Sequence, residues 1–171
     1  MNRFPILLLA LTMFAGACRR HSVKLSFTNA RNEVPVLGNL EFRFSSNLAT
    51  DSMLNQWDST SYISFTPAIR GQFRWEAKDL LVFSPSGPLP PATSFQAHFS
   101  TKHLLKGSDF NELGEADNIN FRTPALALER QILIWTKAEG DAEVVPMLEM
   151  HFNYPVSPKA METAMVVQVD G

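Results

Sequence analysis

The side chains able to do chemistry are few in this sequence, and they are dispersed. The four histidines, His21, His98, His103 and His151, fall in separate segments. None has the His-Glu-x-x-His spacing that places two imidazoles one helical turn apart on a zinc ion. There is one cysteine, Cys18, so no thiolate cluster can form. No serine sits in a Gly-x-Ser-x-Gly elbow, and no glycine-rich loop precedes a lysine to cradle phosphate. The nearest approach to a metal site is DFNELG, in which Asp109, Asn111 and Gly114 stand at the spacing of part of a calcium loop. Leu113 then occupies a ligand position, and Asn120 stands where a bidentate glutamate is needed, so a solvated loop between strands is expected instead. These observations point away from catalysis and imply no metal and no cofactor.

Aromatic and basic residues could still form a binding surface. Trp57, Trp75 and Trp135, with thirteen phenylalanines, could line a platform for sugars, but rings in alternating strands more often face a core. Phe73 and Trp75 share one parity, as an inward face requires, whereas Trp57 lies in an irregular stretch and is the ring expected to be exposed. Arg70, Arg74 and Lys78 form a modest basic edge, read as solvated charges guarding an edge strand. His98 and His151 fall on the polar faces of their strands. With 15 basic and 17 acidic residues in 171, the charge leaves no footprint for a nucleic-acid partner.

The elements that must position these residues are strands. In LEFRFS, Leu40, Phe42 and Phe44 point one way while Glu41 and Arg43 point the other; in TSFQAHFST, Phe95, Ala97 and Phe99 oppose Gln96 and His98. Similar segments are 23–28, 62–66, 72–75, 80–84, 119–123 and 131–137. Pro67, Gly71 and the run SPSGPLPPAT separate them, since proline cannot donate to a central ladder. The segment Asp51 to Trp57 suits one helical turn capped by Thr50 or Asp51. Short alternating strands at this density predict an all-β fold, an Ig-like antiparallel β-sandwich.

The N-terminus reads as delivery rather than fold. MNRFPILLLALTMFAGAC carries a charge at Arg3, an apolar run from Phe4 to Phe14, and small residues before Cys18. As a helix, Phe4 to Gly16 would reach about 20 Å, short of a hydrocarbon core of about 30 Å. The small residues before the cysteine resemble the lipobox of bacterial lipoproteins, with an ordinary signal peptide as the plainer alternative. The resemblance implies a signal peptide at 1–17, a lipid attached to Cys18, and a short linker at 18–22. Localisation would then be the cell envelope, facing the periplasm or on the outer membrane, with the membrane as a partner through the anchor. A chain with no second cysteine leaves that thiol free for acylation.

The sequence also resembles itself. EVPVLGNLEFRF, from Glu33, and EVVPMLEMHF, from Glu143, align Leu40 with Leu148, Phe42 with Met150, Arg43 with His151 and Phe44 with Phe152. An apolar strand is expected after each, ISF from Ile63 and MVVQV from Met165. The expected organisation is one Ig-like domain at 23–125 followed at 126–171 by the start of a second, truncated sandwich. The order EVPVLGNLEFRFSSNL, ISFTPAIRGQFRW, DLLVFSPSGPLPPATSFQAHFS and INFRTP resembles the Ig-like (macroglobulin-like) domain at the start of bacterial α2-macroglobulins, large lipoproteins that trap proteases. Phe95 stands where that family has tyrosine, so packing without a phenolic hydrogen bond is expected there. The resemblance implies a non-catalytic scaffold near the membrane, with proteases as partners of a full-length parent. An adhesive or glycan-binding lipoprotein of generic Ig-like repeats is the alternative, and an exported hydrolase with its catalytic domain downstream is a third.

Overall fold

A computed structural model describes residues 21–114, 118–137 and 144–166. The strands, in chain order, are β1 (Ser22–Thr28), β2 (Asn32–Glu33), β3 (Leu40–Phe44), β4 (Trp57–Asp58), β5 (Ile63–Thr66), β6 (Gly71–Ala77), β7 (Leu80–Pro85), β8 (Ser94–Phe99), β9 (Glu112–Gly114), β10 (Asn118–Arg122), β11 (Leu128–Lys137) and β12 (Val144–Phe152). Two short helices are α1 (Thr101–Leu104) and α2 (Pro158–Ala164). The first ten strands make two sheets, ordered β4-β6-β7-β3-β1-β9 and β2-β10-β8-β5, while β11 and β12 form a separate hairpin. The fold is all-β, and the first two sheets are the faces of a sandwich.

Alternation explains the layers. Leu40, Phe42 and Phe44 of β3 are buried, as are Phe73 and Trp75 of β6 and Leu81 and Phe83 of β7. Across the gap stand Phe65 of β5, Phe95 and Ala97 of β8, and Ile119 and Phe121 of β10. Rings join the sheets: Phe42 meets Phe99 edge-on at 5.6 Å, and Phe65 meets Phe83 at 4.7 Å. Each such side chain removed from water contributes about 1.5–3 kcal/mol. Phe95 is 3% exposed and stacks on Phe121 at 5.2 Å, the hydroxyl-free packing expected at that position.

Pairing is antiparallel through the middle of both sheets, but one edge of each differs. β9 runs parallel to β1, and β2 runs parallel to β10. The DFNELG segment therefore departs from the expected solvated loop: Glu112 to Gly114 form an edge strand, with Leu113 buried in the core. The residue that disqualified a calcium loop is thus the one that anchors the segment. Asp51 to Met53 make a single 3₁₀ turn after Thr50, with no side-chain cap. Gly71 is required by close approach, because a Cβ there would stand 2.4 Å from both Phe83 Cζ and Ser84 O.

The proline loop closes one end of the sandwich through Thr123, which is 2% exposed. Its hydroxyl donates to Pro90 O at 2.6 Å and accepts from Thr93 N at 3.1 Å. Beyond it, Pro124 O accepts from Ala92 N at 2.9 Å and from the Tyr154 hydroxyl at 2.8 Å. Asn153 adds two bonds to the same connection, accepting from Ala127 N and donating to Ala125 O, each at 2.8 Å.

In the second region Met165 follows α2, its N–H bonded to Met161 O at 3.0 Å, and of the strand expected at MVVQV only Met165 and Val166 are described, neither of them in a strand. Ser157 is the N-cap and Pro158 opens the helix, where its missing N–H costs nothing. Val167 and Val169 lie outside the described residues. In the hairpin, register places Gln131, Leu133 and Trp135 opposite Met150, Leu148 and Pro146, and Ile132 and Ile134 opposite Glu149 and Met147. Ile132 and Ile134 therefore lie on the opposite face from Leu148 and Met150, and both faces of the hairpin carry apolar side chains.

Candidate functional site

The dispersed histidines stay dispersed. His98 lies on β8 between Asn118 and Ser64 on the outer face of the four-stranded sheet. His103 Nδ1 is 3.0 Å from Ser61 O, in a contact that ties α1 to the chain before β5. His151 Nε2 is 2.8 Å from Arg130 Nη2 and 2.5 Å from Glu149 Oε1 on the exposed hairpin. A single ring nitrogen cannot donate to the carboxylate and accept from the guanidinium at once, so the two contacts alternate with tautomer. His21 is exposed and contributes its backbone carbonyl to Asn111 N at 3.0 Å. Among the described residues, no three His, Cys, Asp or Glu side chains converge to hold a metal ion. Cys18 and the segment 1–17 lie outside the described residues, as do Arg19 and Arg20 of the linker.

One polar pair is tuned by the fold. Tyr62, 4% exposed, donates its hydroxyl to Asp58 Oδ2 at 2.7 Å, and Thr60 N donates to Asp58 Oδ1 at 2.8 Å. Burial pushes the Asp58 carboxyl up, but the bonds from Tyr62 and from the Thr60 and Ser59 backbone outweigh it and hold the group below its ordinary value of 3.8. Tyr62 moves the other way, raised above 10.0 by burial and by the neighbouring carboxylate. A depressed carboxyl stabilises the fold above its unfolded pKa, and that contribution is lost as pH falls through the folded value. Tyr62→Phe is therefore expected to raise the Asp58 pKa toward 3.8 and to weaken the dependence of stability on pH in that acid window. Carboxyl-carbon NMR titration checks it, and an unmoved Asp58 would mean that the backbone donors alone set the shift. The pair pins β4 to the chain entering β5.

The basic edge resolves into individual partners. Arg43 pairs with Asp79 at 3.0 Å, Lys78 with Asp51 at 2.9 Å, and Arg74 with Glu76. The Arg74 guanidinium also lies over the Trp57 ring, 4.6 Å from its centroid. Arg70 is exposed and has no ion pair among the described residues. Trp57 is 50% exposed, as its irregular surroundings implied, and Trp75 is buried at 2%. Trp135 departs from the core expectation: on β11 it is 68% exposed, beside Leu133 at 61%. The signal that could have found it is the apolar content of both parities in QILIW, which one inward face cannot absorb.

Three features of the described residues thus stand out: a sandwich whose histidines stay dispersed, an apolar hairpin tied to it by Tyr154, and a half-open tryptophan edge. Among these residues no helix is long and apolar enough to cross a membrane. No protein-family model matches the chain. The alpha-2-macroglobulin homolog of Yersinia pestis is 28% identical over 106 residues, which is 61% of this chain and 5% of that protein. The chain thus spans about a twentieth of that relative's length. Among solved structures, an L,D-transpeptidase from Mycobacterium tuberculosis H37Rv aligns at a TM-score of 0.40 and 15% identity over 61% of this chain and 41% of that one. An L,D-transpeptidase from Mycobacterium smegmatis aligns at 0.40 and 11% identity over 82% and 83%. At these scores the likeness carries nothing about function.

Proposed function

We propose that this chain is a non-catalytic scaffold module at the N-terminus of a membrane-anchored, α2-macroglobulin-like protease trap, an endopeptidase inhibitor of the bacterial cell envelope. The observation that carries the reading is the 28% identity over 106 residues to the alpha-2-macroglobulin homolog. The all-β sandwich of the first ten strands is compatible with it. In this reading Cys18 takes the lipid, residues 18–22 set the distance from the bilayer, residues 23–125 form the first domain, and residues 126–171 begin the second. The trapping of proteases belongs to the parent molecule, and this module supplies its attachment and spacing.

The tether is tested directly. With two or three acyl chains, each buried methylene adding about 0.8 kcal/mol, attachment would be effectively permanent. Wild-type protein is therefore expected to incorporate a fatty-acid probe and to sediment with membranes, and Cys18→Ala to lose the label. An unlabelled wild type would remove the lipoprotein reading. The scaffold assignment has its own test: the chain alone is expected neither to hydrolyse peptides nor to shield a protease from a large inhibitor. Shielding at stoichiometric concentration would place the trapping function within these residues.

A further inference from the structure

The tryptophan edge bounds a groove of about 580 Å³ lined by Trp57, Arg70, Gln72, Ser84 and Ser86, with Gly71 in its wall. Pairing explains the composition. Trp57 stands opposite Arg74, and Gln72 opposite Ser84; Ser86 N then bonds Arg70 O at 2.8 Å, continuing the same ladder. Arg70, Gln72 and Arg74 share a parity, as do Ser84 and Ser86, so all face outward on the six-stranded sheet. The half-exposed indole lies at one end, an amide and a hydroxyl in the middle, and the Arg70 guanidinium with a second hydroxyl at the other. β4 covers only two residues of β6, which leaves this corner open.

We propose that this groove binds an extended oligosaccharide carrying carboxylates, with one pyranose laid against Trp57 and a uronate-type carboxylate held by Arg70. This is independent of the protease-trap reading. The apolar face of a pyranose matches the exposed half of the Trp57 indole, whose ring also carries the Arg74 guanidinium. The neutral donors and acceptors of Gln72, Ser84 and Ser86 match sugar hydroxyls. The charges of Arg43, Arg74 and Lys78 are already occupied by carboxylates, so among the described residues Arg70 is the cation left on this edge to select an anion. Guanidinium binds carboxylate in a bidentate fork that a neutral sugar cannot offer. Arg70 and Arg74 are four residues apart, about 13 Å along a strand, so a ligand spanning the groove is a chain rather than one sugar. An acidic peptide is disfavoured because the middle of the groove presents neutral groups and a single cation.

The test is isothermal titration of the full chain with an oligogalacturonate, a cello-oligosaccharide of equal length and an oligo-glutamate. The oligogalacturonate is expected to bind most tightly. Arg70→Ala is expected to weaken it by about tenfold or more, as for loss of a charge-assisted bond, while leaving the weaker cello-oligosaccharide unchanged. Trp57→Ala is expected to abolish both, and Trp135→Ala, on the hairpin, to change neither. Unaltered circular dichroism confirms that the variants are folded, which the exposure of Arg70 favours. No heat with the oligogalacturonate, equal affinity for oligo-glutamate, or indifference to Arg70→Ala would each overturn the assignment.

Discussion

Replacing Trp75 with alanine is expected to cost about 3–5 kcal/mol, a large part of the stability of a domain this size. Trp75 is 2% exposed and sits between Phe44, at 6.0 Å, and Tyr62, at 5.8 Å, so its removal leaves a cavity at the centre of the aromatic layer. Chemical denaturation with urea should show the midpoint falling by on the order of 2 M at the slopes usual for small domains. Trp75→Phe separates packing from hydrogen bonding. Among the described residues the buried indole Nε1 makes no full hydrogen bond, although the Tyr62 hydroxyl is near enough to feel it, so phenylalanine removes a poorly satisfied donor while keeping a ring against Phe44 and Tyr62. Its cost is expected to be about 1–2 kcal/mol. Equal losses for the two variants would show that the shape of the indole, rather than an aromatic filling, holds this layer together.

Limited proteolysis is expected to divide the chain near Pro124. The sandwich closes two sheets over one core, whereas β11 and β12 pair only with each other among the described residues and leave Leu133, Trp135, Val144 and Met147 exposed. A two-stranded hairpin is marginal in water, so its opening free energy lies near zero while the sandwich opens only at its global stability. Cuts within residues 126–166 should therefore accumulate at least about a hundredfold faster than cuts within 23–123. Mass spectrometry of the early fragments measures this. Tyr154→Phe removes the hydroxyl that donates to Pro124 O, leaving that carbonyl with Ala92 N alone, and should speed the cuts a few-fold more. A hairpin as resistant as the sandwich would make the two regions one cooperative unit, and the division into two domains would be withdrawn.

Alternation along the chain was sufficient to identify most of the sandwich. Leu40, Phe42, Phe44, Phe73, Trp75, Phe95 and Phe121 are inward because every second residue of a strand meets the same face, and that rule is local. The exposure of Trp57 was legible for the converse reason, since its neighbours show no period. Tertiary structure decided what locality cannot express. Leu113 belongs to the core because β9 lies parallel to β1, about ninety residues away in sequence, and no pattern within DFNELG encodes that neighbour. Among the described residues Arg70 is the unpaired cation of its edge, because Asp79, Asp51 and Glu76 pair with Arg43, Lys78 and Arg74. In the hairpin, both parities are apolar, so the period shows a strand without showing its inner face. The pairing of Leu133 with Leu148 and of Ile134 with Met147 assigned the faces, because a one-residue change of register moves every side chain of a strand to the other side.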